Sequence, residues 1–359
     1  MGCNEDMGNK FDKREFLKYV GDASQLFGVR DSVLKGGAAE GVRALDVRNG
    51  CGLDFTILPD RGMDIAWLSY KGINMSYISH TGIKAPQYFN DRGLGFLRNF
   101  YAGFLTTCGL SYAGTPSSDM GEELGLHGRI ANLPAEEVYA GTDWQGDVPT
   151  VKIKGKIREA MFFNENLILD REISVRNGEN KISIIDNVEN LGFRAQPLMI
   201  LYHFNLGYPL LSSKSYLVSP STNIVPRDDT ALSGLNECRK FQQPTSGYKE
   251  QVFYHELKEL DAGGRTFAAL VNPVLKLAVV IRFNKNQLGR LIQWKQMGEG
   301  EYVLGIEPAN CRVVGRAKER SEGTLQFINP GEVRKFELEV EILDDILDIE
   351  KIEAKAMCI

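Results

Sequence analysis

The stretch Val42-Arg43-Ala44-Leu45-Asp46-Val47-Arg48-Asn49-Gly50-Cys51-Gly52-Leu53-Asp54-Phe55-Thr56-Ile57 decides the fold class. Leu45 and Val47 alternate with polar neighbours, Leu53, Phe55 and Ile57 alternate again, and Asn49-Gly50 between them is a tight-turn dipeptide. Successive side chains of a strand point to opposite faces, so a period of two around an Asn-Gly turn marks a half-buried hairpin. Pro59-Asp60-Arg61-Gly62 then turns the chain into a further strand carried by Met63, Ile65 and Trp67, which Lys71-Gly72 ends.

The same grammar returns downstream. Val151, Ile153, Ile157, Ile173 and Val175 alternate with charged residues, Asn177-Gly178 marks a turn, and residues 182–189 form another strand. Phe336, Leu338, Val340 and Ile342 alternate with Lys335, Glu337, Glu339 and Glu341 after an Asn329-Pro330-Gly331-Glu332 turn, giving a strand with one charged face. The run from Gln196 to Gly207 is too apolar for a one-sided strand and is expected to be buried on both faces. Strand-helix-strand alternation is absent, so the expected fold is all-β, one large antiparallel sandwich. The one good helical pattern, Phe11 to Val20, predicts a short N-terminal helix. The expected organisation is a cap and lead-in over residues 1–40, a single domain over 41–345, and a tail over 346–359. Residues 92–129 stand apart, dense in glycine, aromatic and small polar residues without periodicity, as functional loops often are.

With 42 Lys+Arg against 47 Asp+Glu, the net charge of −5 lacks the basic stripe that nucleic acid or an anionic membrane surface would need. The polar start, Met1 to Lys18, carries no signal-peptide core, and no apolar run is long enough to span a bilayer, so a cytoplasmic protein is expected. Six dispersed cysteines without a C-x-x-C pair read as reduced thiols. Met1-Gly2-Cys3 is not read as an acylation start, because Asp6 stands where that pattern takes Ser or Thr. Nucleotide-loop, dinucleotide-binding, nucleophile-elbow and zincin motifs are all missing.

Chemistry is therefore sought among the four histidines and the polar residues set in apolar strands. His127 lies between glycines in Gly125-Leu126-His127-Gly128-Arg129, as suits a side chain at a cleft edge or one bonded to nearby backbone. His203 and Asn205 share one face of an apolar strand, as a functional pair or as a satisfied buried one. Glu307 sits in an apolar strand just before Pro308, read here as the strand's end, and apolar surroundings raise a carboxylate pKa toward the range of a general base. Trp294-Lys295 offers a stacking face and a cation, or a core tryptophan. Arg61, Arg98 and Arg129, each in a glycine-rich or aromatic turn, would together favour an anionic or densely hydroxylated ligand. Gly109, Gly125, Gly128 and Gly207 are read as framing the cleft.

Leu126-His127-Gly128, then Tyr202-His203-Phe204-Asn205-Leu206, then Gly305-Ile306-Glu307-Pro308, in that order along an all-β chain, resemble the galactose mutarotase-like (aldose 1-epimerase-like) superfamily. Leu58-Pro59-Asp60-Arg61-Gly62-Met63-Asp64-Ile65, Thr106-Thr107-Cys108-Gly109-Leu110 and Gln293-Trp294-Lys295 look closer to an uncharacterised bacterial branch of it. The resemblance runs from about Val20 to Ile342. It implies a β-supersandwich that binds a carbohydrate, with His203 as general acid to the ring oxygen, Glu307 as general base on the anomeric hydroxyl, and His127 orienting the substrate. One departure stands out. The family pattern is His-x-Tyr-Phe-Asn-Leu, so His203 is displaced by two residues, about 6.6 Å along a strand, which implies a different ring position or another substrate.

The resulting expectation is a carbohydrate mutarotase or epimerase that needs no metal or nucleotide cofactor. Its catalytic residues would be His203, Glu307 and His127, and its substrate-binding residues Arg61, Arg98, Arg129, Asn205, His255, Trp294 and Lys295, with His255 taking space that a carboxylate fills elsewhere in the family. Two alternatives stay open: a carbohydrate-binding or sensing protein without turnover, and a metal-assisted sugar isomerase or lyase using His127, His203, His255 and Glu307. An anionic sugar is kept among the substrates, and a homodimer is left open.

Overall fold

The computed structural model describes residues 13–144 and 148–357. Cys3 and Cys358, the start of the chain, and Phe11 and Asp12 of the helical pattern lie outside them. The alternating segments form antiparallel strands. Six build the sheet that matters for function: β1 (Leu105–Leu110), β2 (Met199–Leu206), β3 (Ser221–Pro226), β4 (Gln251–Leu257), β5 (Arg290–Gly298) and β6 (Glu301–Ala309), in the spatial order β3-β4-β5-β6-β2-β1. An eight-stranded sheet runs from Ala135–Asp143 at one edge to Tyr216–Val218 at the other. A five-stranded meander spans Gly28–Val33 to Ile73–Asn74 and contains the opening hairpin, with Leu45 opposite Ile57 and Val47 opposite Phe55.

One apolar cluster joins these layers. Ile200, Tyr202, Phe204 and Leu206 of β2 meet Ile153, Leu169 and Ile184 of the eight-stranded sheet and Ile57 and Ile65 of the meander. The alternate residues Met199 and Leu201 face the other way, onto Val252, Ile292, Phe96, Tyr112 and Leu124. Both faces of β2 are thus covered and all eight of its residues are buried, as its unbroken apolar run requires. Beneath it lies an ionic knot without exposure. Arg171 donates to Asp64 (2.9 Å), to both oxygens of Asp186 (2.9 and 2.7 Å) and to Thr107 (2.9 Å), and the Tyr202 hydroxyl donates to Asp186 at 2.6 Å.

Five local expectations differ. The register of Leu53–Leu58 against Asp64–Tyr70 shifts between Thr56 and Ile57, a bulge that turns Leu68 inward and Trp67 outward, so Trp67 does not follow Ile65 into the core. Thr106-Thr107-Cys108-Gly109 is strand rather than loop, and being buried on both faces it shows no alternation to read. Pro308 does not end its strand: β6 continues to Ala309, and the β2–β6 ladder steps from Leu201–Ala309 to Phe204–Ile306, leaving the proline, which has no N–H, in the gap. The lead-in already contains strand Gly28–Val33, an edge whose exposed residues carry no signal. The expected tail holds a helix, Ile346–Met357, whose Ile349, Ile352 and Ala356 pack on Phe267, Val280 and Leu343. At the other end the described helix is only Lys13–Phe16; Phe16 and Val20 pack on Phe27, while Tyr19 is exposed. Cys108, Cys238 and Cys311 are buried thiols.

Candidate active site

Strand register brings the chemistry together. His203 of β2 lies opposite Thr106 of β1, and Ile292 of β5 lies opposite both Tyr254 of β4 and Glu307 of β6. Glu307 stands beside His203 across the β6–β2 gap, with His203 Nε2 3.2 Å from Glu307 Oε1. The next row on the same face is Val252, Trp294, Gly305 and Asn205. Gly305 makes the contact possible. A Cβ there would stand 2.6 Å from Glu307 Oε1 and 2.9 Å from Trp294 Cβ, closer than Cβ atoms approach, and 3.2 Å from His203 Cε1, a tight contact.

Both members of the pair are buried, His203 at 5% exposure and Glu307 at 2%. Burial drives the Glu307 carboxyl well above the usual carboxylate range, helped by the charge of Glu250 and opposed by Arg227. Burial also lowers His203 to about 3, with His127 adding to the effect and Asn205 opposing it. The two directions agree: loss of water favours the uncharged forms, a protonated Glu307 carboxyl beside a neutral His203 imidazole.

His127 joins from a loop. Its ring lies edge-on to His203 at 5.9 Å and against Phe96 at 5.3 Å, burial lowers its pKa to about 4, and its Nδ1 is buried without a hydrogen-bond partner. Its backbone is left-handed, φ 59°, a conformation that costs a non-glycine residue on the order of 1 kcal/mol and that concentrates at functional sites. Neighbouring backbone holds it there. The His127 N–H donates to Gly114 O, and His127 O accepts from the Gly109 N–H, both at 3.0 Å. Gly128, φ +81°, permits that approach, since a Cβ would fall 2.2 Å from Gly109 O.

Above the pair opens a cavity of about 270 Å³. Phe100 and Trp294 flank His203, each with ring centroids 5.4 Å from the imidazole. The roof comes from the aperiodic segment, through Leu94, Phe96, Leu97, Phe100 and Leu126. Arg227 and Glu250 line one side; Glu250 accepts from Arg227 Nη2 at 3.0 Å and from Trp294 Nε1 at 2.7 Å, and Arg227 also binds Asp228 at 2.8 Å. Sequence reading missed Arg227 and Glu250. They belong to no motif and meet only because the residue after β3 bonds to Val252 of β4, with the Arg227 N–H donating to Val252 O.

Of the expected site residues, His203, Glu307, His127 and Trp294 line the cavity and six do not. Lys295 cannot share a face with Trp294, because adjacent strand residues point oppositely; its Nζ donates to Glu237 O at 2.9 Å. His255 is one residue out of phase with Val252 and Tyr254 for the same reason. On the far side of β4 it donates from Nε2 to Gln293 Oε1 (2.9 Å) and accepts at Nδ1 from Ser221 (2.8 Å). The four-residue metal set is thereby divided between two faces of the sheet. Asn205 shares His203's face but turns its amide to Ala102 O and His203 O. Arg61 is buried and donates to three backbone carbonyls, of Ala131, Lys84 and Asn99, tying the roof-bearing loops together from behind. Arg98 is exposed, and Arg129 is held by Asp91 and Glu165 over the Tyr112 ring. The arginine argument for an anionic ligand therefore lapses. Gly207 likewise abuts the backbone of Ser76 and Tyr77 instead of the cleft.

Layered antiparallel sheets, one of them carrying a buried histidine–glutamate contact under a loop-built cavity, define the class of the molecule. The chain belongs to the family described as Domain of unknown function (DUF4432), whose model matches residues 39–342. Among solved structures it is similar to a candidate aldose 1-epimerase from Klebsiella pneumoniae, with 29% identity, TM-score 0.87, and coverage of 92% of this chain and 87% of that one. It is also similar to a galactose mutarotase-like protein from Clostridium acetobutylicum (16% identity, TM-score 0.62, 89% and 100% covered) and to a galactose 1-epimerase from Lactobacillus acidophilus (13%, 0.56, 88% and 99%). The fold is galactose mutarotase-like, as the motif order implied. No curated protein sequence matches the chain. No helix among the described residues is long and apolar enough to cross a membrane.

Proposed function

We propose that the chain is an isomerase that interconverts the anomers of an aldose, with protons moving between the sugar and the His203–Glu307 pair. The observation that carries this reading is the 3.2 Å contact of two buried, oppositely shifted groups at the floor of a cavity. The similarity to a candidate aldose 1-epimerase supports it. Mutarotation gives a proton to the ring oxygen and takes one from the anomeric hydroxyl, two oxygens on one carbon, so donor and acceptor must lie close together.

The opposite shifts exchange the roles that the resemblance implied: from the uncharged pair, Glu307 protonates the ring oxygen while neutral His203 removes the anomeric proton. The bond from the anomeric carbon to the ring oxygen breaks and a carbonyl forms. A carboxylate and an imidazolium remain in contact, which stabilises the open chain. Rotation of the aldehyde and reversal of both transfers close the other anomer, with His203 now the acid and Glu307 the base. Each residue therefore serves in both roles. His127 and Trp294 orient the sugar.

Exchange NMR or polarimetry on a panel of aldoses tests the reading. Glu307→Gln and His203→Asn should each lower the catalysed rate by about 10²- to 10⁴-fold while the protein stays folded. Undiminished rates in both variants would refute the assignment, and tight binding without acceleration by the native protein would favour the binding-only alternative.

A further inference from the structure

Away from His203, Glu307 and His127, the cavity is lined mostly by apolar side chains. Beside the polar His127 and Thr115, the apolar part of its lining includes Leu94, Phe96, Leu97, Phe100, Leu126 and Val313. On the polar side, Arg227 donates from Nε to Asp228 and from Nη2 to Glu250, whose second oxygen accepts from the Trp294 indole. Two carboxylates face one guanidinium, so no uncompensated cation is left among these groups for a phosphate or a sugar carboxylate. A hydroxyl pressed against the apolar wall loses its water without gaining a partner, whereas a methyl or methylene there is buried favourably.

We propose that the substrate is a neutral deoxyaldose, a sugar whose edge remote from the anomeric carbon lacks a hydroxyl and lies against Leu94, Leu97 and Leu126. This inference rests on the mutarotase reading and narrows its substrate class. Leu94 and Leu97 are exposed, apolar surface that an apolar edge of the ligand would remove from water.

Anomer exchange measured by NMR on matched sugars separates the two claims. The panel is D-galactose with its 6-deoxy analogue, D-glucose with its 6-deoxy and 2-deoxy analogues, glucose 6-phosphate and glucuronate. The expected result is a kcat/KM for at least one deoxyaldose about tenfold or more above its hydroxylated parent, the size of discrimination that one group in an apolar pocket provides, with both anionic sugars left at the uncatalysed rate. Equal or faster turnover of the hydroxylated parents, or of either anion, overturns the inference and leaves the mutarotase reading standing. No acceleration of any sugar overturns both. Leu97→Asn, at a position exposed enough to spare the fold, should shrink the deoxy preference several-fold; an unchanged ratio would also overturn the proposed role of the wall.

Discussion

A dry histidine–glutamate pair responds to pH in its own way. Since burial holds His203 near 3 and His127 near 4, neither gains a proton at the ordinary histidine pKa of about 6.5. The kcat/KM profile should be level through that region, fall on the acid side as His203 and His127 become charged, and fall on the alkaline side when Glu307 ionises, above the usual carboxylate range. An inflection at 6.5 that disappears in His203→Asn would show that His203 titrates as a solvated imidazole and overturn the uncharged pair. The two key residues were legible because each is a polar intruder in an apolar strand, His203 within Leu201 to Leu206 and Glu307 within Val303 to Ala309. Arg227 and Glu250 were not. Each sits beside a strand end among ordinary charged neighbours, and only the pairing of β3 with β4 makes them part of a site.

At the scale of the element, strand phase decides more than composition does. Trp294 and Lys295 were read as one unit, yet a single residue step sends one to the cavity and the other to the opposite face; the same step removes His255. The strands with one solvated face announced themselves through alternation, whereas β1, buried on both sides, was hidden inside a stretch read as loop. Gly305 shows how tightly the two rows of the site fit. Gly305→Ala should reduce kcat by about 10²-fold, because its methyl would displace the Glu307 carboxylate from a geometry that tolerates little error. Steady-state kinetics beside a thermal melt separates a displaced carboxyl from a weakened fold, and a full-rate enzyme would show that the carboxyl has room to shift.

For the whole molecule, the buried histidines set a limit in acid. His203 and His255 have folded pKa values lowered to about 3 and about 4, against about 6.5 in the unfolded chain. The unfolded state therefore takes up protons that the folded state refuses, and the stability present above pH 6.5 is lost as pH falls toward those folded values. Each contributes a loss of about 2 kcal/mol between pH 6.5 and 5. Urea melts at the two pH values should show the fall, and His255→Gln, which can keep partners in Ser221 and Gln293, should flatten it by one histidine's share; an unchanged slope would mean that His255 is charged in the fold. The reacting pair stands on the central strands of a sheet whose other face is core, while the roof belongs to a loop segment tied from behind by Arg61. Under the proposed mutarotase reading, foldability and proton chemistry depend on one set of residues and admission of the sugar on another. A lineage would then change its diet by altering Leu94 or Leu97 without first surviving a damaged catalyst, a modularity that would let one scaffold drift among substrates in small, viable steps.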